Sequence, residues 1–161
     1  FRNLSPPKIQ KKAFGMHIEI AKEKKLPLYL HQRDAHEDFI KIIKGHENNF
    51  PKFVVHCFTG TQAELENYLE LGAYIGLTGW ICDVKRNFDL RQSIKNIPLE
   101  KMMIETDCPY LVPKNLSTKA KKNINEPKYL PHIANEICEI IGIEIDELKL
   151  ATRNNAIQFF S

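Results

Sequence analysis

With 161 residues, 43% hydrophobic and 27% charged side chains, the chain has the size and composition of one globular domain over 1–161, which excludes a disordered or low-complexity polymer. Its 23 basic and 20 acidic residues leave a formal charge of only +3, which excludes polyanion binding by bulk charge; a nucleic-acid role must come from a local site. Four cysteines without C-x-x-C spacing exclude zinc ribbons and dithiol redox centres, and the absence of any apolar stretch of roughly 18 residues or a leader predicts no membrane partner and a cytoplasmic location.

Ser5-Pro6-Pro7 predicts a helix start, with Ser5 as the cap and proline preset for the first turn, and apolar residues at helical spacing carry that helix to the lysines at 22–25. Residues 26–31 form a nearly continuous apolar run, the pattern of a strand buried on both faces. A helix follows over about 34–43, stopped by Gly45. Residues 52–58 predict a second strand, Thr61 and Glu64 a capping box, and a helix reaches Leu71 before Gly72. A third strand is expected over 73–78, a short helix over 88–94, and a fourth strand over 101–106. Beyond it come a Lys- and Asn-rich loop at 114–125 and two helices over about 127–141 and 146–160.

Strands spaced 20 to 30 residues apart, each followed by helix, predict consecutive parallel βα units. An open doubly wound sheet and a (β/α)₈ TIM barrel both fit, but no G-x-G-x-x-G turn is present, which favours the barrel. Four units cannot close eight strands. The chain, which opens without Met as if inside a loop, is therefore expected to be part of a longer protein.

Three strands end in side chains able to bind metal: His31, His56 and Asp107. In parallel βα folds the carboxyl edge gathers such residues, and neutral imidazoles with carboxylates suit Zn²⁺, Mn²⁺ or, with more oxygen ligands, Mg²⁺. Glu105 lies two residues before Asp107, on the same side if the strand continues, so one can bind metal while the other orients a ligand or water. Arg33 offers a planar fork to a phosphate, with an ion pair to Asp34 or Asp38 as the alternative. Lys114, Lys119, Lys121, Lys122 and Lys128 can track a phosphate backbone, and Phe58, Trp80 and Tyr110 can stack on unpaired bases; solvated surface and core packing are the plainer readings.

Leu30-His31-Gln32-Arg33-Asp34-Ala35, Val55-His56-Cys57-Phe58-Thr59-Gly60-Thr61, Tyr74-Ile75-Gly76-Leu77-Thr78-Gly79-Trp80 and Ile104-Glu105-Thr106-Asp107-Cys108-Pro109-Tyr110-Leu111, with Asn125-Glu126-Pro127 and Leu130-Pro131-His132, closely resemble TatD-type deoxyribonucleases. The resemblance spans the whole chain. It implies a TIM-barrel metallohydrolase with metal-dependent 3′-to-5′ exonuclease activity on DNA, and in some members RNA. It also implies metal ligation by His31, His56 and Asp107, with Glu105 beside the site. The Asp-x-His-x-His and Gly-Leu-Asp motifs of that family are absent, so the chain is expected to be the C-terminal half of the barrel, about strands five to eight. The missing half would come from upstream sequence or another chain.

Phosphodiester hydrolysis by water activated on divalent ions, with Mg²⁺ expected first, is the implied chemistry; Asp107, Glu105 and Arg33 are its candidate catalytic groups. Two alternatives stand beside it: a metallohydrolase acting on another ester or amide, and a non-catalytic half-barrel that binds nucleic acid or pairs with another chain.

Overall fold

The structure is a computed structural model and describes residues 4–46, 50–117, 120 and 123–161. Four strands, β1 (Leu28–His31), β2 (Phe53–His56), β3 (Tyr74–Leu77) and β4 (Met102–Ile104), form one sheet in chain order, every pair parallel. Between them lie α2 (His36–Lys44), α3 (Gln62–Glu70) and the short α4 (Phe88–Ser93), with α1 (Pro7–Lys24) before and α5 (Leu130–Ile141) and α6 (Ile145–Phe160) after. The expected alternation is present, with strand ends shifted by one or two residues.

Local chemistry accounts for most boundaries. Thr61 and Glu64 exchange the two bonds of a capping box, Thr61 N–H donating to Glu64 Oε2 at 2.7 Å and Glu64 N–H to Thr61 Oγ1 at 3.3 Å. Gly142 ends α5 in the left-handed region at φ 76°. Ser5 does not cap α1; Pro6 occupies that position and no side chain caps it. Proline preset for the first turn substitutes there for a capping hydroxyl.

Strand alternation divides the sheet into two unlike faces. Leu28, Leu30, Phe53, Val55, Ile75, Leu77 and Met102 point into a core filled by Ile18, Phe39, Ile43, Leu65, Tyr68, Ile94, Ile133 and Ile137 of the surrounding helices and turns. The other face carries Tyr29, Val54, Tyr74 and Met103 low on the strands, and His31, His56, Gly76 and Glu105 toward their carboxyl ends. Phe159 at the end of α6, fully buried, packs on Val54, Tyr74 and Met103, its ring edge-on to Tyr74 at 5.4 Å. The α6 helix is tied to that end of the sheet. Asn155 Nδ2 donates to the Leu99 and Met102 carbonyls, each at 2.8 Å, and Lys52 Nζ to the carbonyl of Gln158 at 2.7 Å.

This corrects the expectation for the first strand. Leu28 and Leu30 are buried, whereas Tyr29 is 51% exposed and His31 is exposed, because nothing among the described residues covers the second face of β1.

Candidate functional site

Strand pairing sets the site. His31 on β1 is the register partner of His56 on β2, and their rings lie 5.6 Å apart. From β4, two strands away, Glu105 reaches back: its Oε2 takes His56 Nδ1 at 2.7 Å and the Tyr29 hydroxyl donates to the same oxygen, while the Cys57 amide donates to Oε1 at 2.8 Å. Asp107 Oδ1 stands 3.5 Å from the opposite nitrogen, His56 Nε2. His31, His56, Glu105 and Asp107 are thus one cluster at the carboxyl edge, although up to 76 residues separate its members.

Glu105 keeps the alternation of β4, its N–H bonding the Leu77 carbonyl at 2.9 Å, but the strand does not continue through Asp107, the condition on which the two carboxylates were expected to share a side. The strand ends at Ile104, and Asp107 turns back with φ 57°. Asp34 (φ 52°), Cys57 (φ 49°) and Leu111 (φ 56°) are also left-handed, so four residues in this costly conformation gather around the loops that leave the strands. They redirect the chain after β1, β2 and β4.

The surrounding residues hold this arrangement, and sequence reasoning assigned none of them. Gly76 matters by what it lacks: a methyl group there would overlap Glu105 Oε1 and sit 3.1 Å from its Cδ. Asn125, 2% exposed, donates from Nδ2 to the carbonyls of Tyr110 at 2.6 Å, Thr106 at 2.7 Å and Leu111 at 3.2 Å, stapling the loop that carries Asp107. Its amide N–H bonds the Pro109 carbonyl at 3.0 Å. Asn125→Asp sets a carboxylate against three carbonyl oxygens, and is expected to lower stability by about 2–3 kcal/mol in urea unfolding with the slope unchanged. Gln32 and His36 meet the buried Tyr68 hydroxyl at 3.0 and 2.8 Å, anchoring the segment on either side of Arg33 to α3.

Burial dominates the electrostatics. It lowers the His56 pKa below its ordinary value, against the raising influence of Asp107, with His31 adding to the lowering. Burial likewise pushes the Glu105 carboxyl from 4.5 up to about 7, opposed by the Cys57 amide bond and reinforced by Asp107. Neutral His56 can then donate Nδ1–H to Glu105 and present the Nε2 lone pair toward Asp107. Burial also raises the Cys57 thiol, which is not poised as a thiolate nucleophile.

A carboxyl whose folded pKa exceeds its unfolded value binds more protons folded than unfolded between about 4.5 and 7. Its stabilising contribution is complete below 4.5 and is lost as pH rises through 7, in total roughly 3 kcal/mol. His56, shifted the other way, loses its contribution as pH falls below 6.5. The melting temperature of EDTA-treated Glu105→Gln protein is therefore expected to fall less between pH 5 and pH 7.5 than that of the unaltered protein; equal falls would refute the shift.

The donor chemistry suits a divalent cation, yet no group of three His, Cys, Asp or Glu among the described residues is arranged to hold one by itself. These residues fit a cation as part of a ligand set. Arg33 lies on the exposed loop after His31, lining both a cavity of about 630 Å³ beside β1 and one of about 350 Å³ that includes His31, Cys57 and Trp80. Asp38, one suggested partner for it, pairs with Lys11 at 3.1 Å. Of the three rings proposed to stack on bases, Phe58 is only 3% exposed and packs edge-on against Tyr68, so it belongs to the core. Trp80 is half-buried and Tyr110 is 71% exposed. Lys114 is exposed, Lys128 pairs with Glu126 at 2.7 Å, and Lys119, Lys121 and Lys122 lie outside the described residues. No helix among the described residues is long and apolar enough to cross a membrane.

Residues 1–161 match the model of the family described as TatD related DNase. A relative named 3′-5′ ssDNA/RNA exonuclease TatD, from Citrobacter rodentium (strain ICC168), is 45% identical over 159 residues, covering 99% of this chain and 60% of that protein. Among solved structures, a TatD family hydrolase from Entamoeba histolytica superposes with a TM-score of 0.86 at 27% identity, over 98% of this chain and 58% of that one. YjjV, a TatD homolog from Escherichia coli K12, gives 0.86 at 26% identity, over 98% and 60%. The chain spans about 60% of the length of the curated relatives it matches.

Proposed function

The chain belongs to the TatD related DNase family, and on that premise we propose that its carboxyl-edge cluster is part of the centre of a metal-dependent nuclease that removes nucleotides from the 3′ end of single-stranded DNA or RNA. The observation that carries this reading is the convergence of His31, His56, Glu105 and Asp107, drawn from three strands onto one rim. The relatives' named activity gives the substrate class. In the same reading the four strands are the C-terminal half of a (β/α)₈ barrel. The outer edges of β1 and β4, unpaired among the described residues, would join the half supplied by upstream sequence or another chain.

His31, His56 and Asp107 would hold the cation, with the other barrel half completing the ligand set. A divalent ion there, Mg²⁺ first and Mn²⁺ or Zn²⁺ as alternatives, would supply Lewis-acid polarisation of a phosphoryl oxygen and lower the pKa of the attacking water. Glu105 fixes the His56 tautomer and ring angle through Nδ1, and Tyr29 and the Cys57 amide fix Glu105. Where it does not ligate, Asp107 would instead steer the attacking water. Arg33 binds a non-bridging phosphate oxygen and balances charge as the phosphorus becomes five-coordinate.

The test is a 5′-labelled single-stranded oligonucleotide incubated with the full-length protein and Mg²⁺. A ladder shortening from the 3′ end, abolished by EDTA and restored by Mg²⁺ or Mn²⁺, is expected. No shortening with any of the three metals, or shortening unaffected by EDTA, rejects the reading.

A further inference from the structure

Beyond the cation cluster, the carboxyl edge carries two adjoining hollows that the proposed chemistry does not use in full. The first, about 350 Å³, opens beside His31 and Cys57 and includes Arg33. The second, about 300 Å³, lies farther from the cluster, between the turn after β3 and the loop after β4, and is lined by Asp83, Arg86, Tyr110 and Lys114. Trp80 and Leu111 line both and form the wall between them. Each volume falls at the small end for small-molecule sites, where one mononucleotide fits and a duplex does not.

We propose that the two hollows are successive nucleotide subsites for a single strand, with Trp80 as the partition on which both bases lie and the outer hollow gripping the second nucleotide through Tyr110, Arg86 and Lys114. The inference rests on the nuclease reading above and adds to it a site one nucleotide removed from the cation cluster. Five observations support it.

Trp80 packs its inner part on the core while lining both hollows, so its plane is held before any ligand arrives. Tyr110 is a large ring left 71% exposed at the mouth of the outer hollow, an arrangement that costs apolar exposure unless something flat covers it. Arg86, its side chain 73% exposed, and Lys114 place two cations on the same hollow, where phosphate oxygens flank a stacked base. Asp83, ion-paired with Arg86 at 3.9 Å, offers its other carboxylate oxygen as an acceptor to an exocyclic amino group. Backbone geometry fixes the partition: Gly79 has no side chain, and a Cβ there would stand 2.5 Å from the Leu111 carbonyl, so the two loops meet only because residue 79 is glycine.

With the 3′-terminal nucleotide at the cation cluster, a dinucleotide places its other nucleotide in the inner hollow, and only a longer strand sets a further nucleotide in the outer one. The full-length protein is expected to show at least tenfold higher kcat/KM on a deoxyadenosine pentanucleotide than on the dinucleotide. Tyr110→Ala should lose about tenfold on the pentanucleotide, the value of one base–aromatic stack, and stay within twofold on the dinucleotide. Arg86→Ala should flatten the salt dependence of pentanucleotide binding by about one phosphate contact. Wild-type cleavage of both lengths with equal kcat/KM, or a Tyr110→Ala penalty equal on both, overturns the two-subsite proposal and leaves the nuclease reading standing. Cleavage of neither overturns both.

Discussion

Gly76→Ala is expected to leave a folded protein that has lost about 10- to 100-fold in divalent-metal affinity and nuclease turnover, the usual penalty for disturbing a group that orients a metal ligand. The added methyl overlaps Glu105 Oε1, the far end of a flexible side chain, so the conflict is relieved by moving the carboxylate, not the sheet. Once displaced, Glu105 gives up the Cys57 amide at 2.8 Å and His56 Nδ1 at 2.7 Å, and the imidazole is no longer held. Alanine fits strand geometry at residue 76, whose backbone is not left-handed, so stability should change by no more than about 1 kcal/mol. Combining Gly76→Ala with Glu105→Asp, which retracts the carboxylate by one methylene, should recover part of the activity. Isothermal titration with Mn²⁺ and the oligonucleotide ladder measure the two effects; a Gly76→Ala protein with normal affinity and turnover would show that Glu105 does not act through His56.

His56→Ala should be more damaging. The ring stands at the centre of the cluster, 5.6 Å from His31, 5.1 Å from Tyr29, and hydrogen-bonded to Glu105 with its other nitrogen facing Asp107. On the proposed reading its removal takes away a cation ligand, and it strands the Glu105 carboxyl, already shifted up to about 7, without one of its donors. Turnover is expected to fall by more than about 100-fold, beyond the range for orienting residues alone, with circular dichroism unchanged. Because only neutral imidazole can bind a cation, activity of the unaltered protein should also decline on the acid side as His56 takes up its proton. Its lowered pKa places that decline below pH 6.5. Full turnover by His56→Ala with saturating Mg²⁺ would remove His56 from the ligand set.

The parallel βα order was legible because apolar runs such as Lys52-Phe53-Val54-Val55 and the Thr61/Glu64 capping box are local signals, each complete within a few residues. His31, His56 and Asp107 were legible for a related reason: a polar side chain ending an apolar strand marks the carboxyl edge before any contact is known. Contacts between distant segments carry no such mark. The Tyr29 hydroxyl meets Glu105 across 76 residues, and Gly76 earns its place only through a carboxylate on the neighbouring strand. Asn125 resembles any loop asparagine until the carbonyls of Thr106, Tyr110 and Leu111 are seen to face it. Phe58 reads as a candidate stacking ring because it follows a strand, with core packing as the plainer reading, and it takes the plainer one: the chain turns inward after the left-handed Cys57 and the ring joins Tyr68.

Phe159, wedged against Val54, Tyr74 and Met103 beneath the ionisable rim, bears on how a polymer can be handled. Among the described residues that ring fills the space below His56 on β2 to β4, so on the nuclease reading a chain end would approach His56 from the carboxyl rim rather than from beneath it.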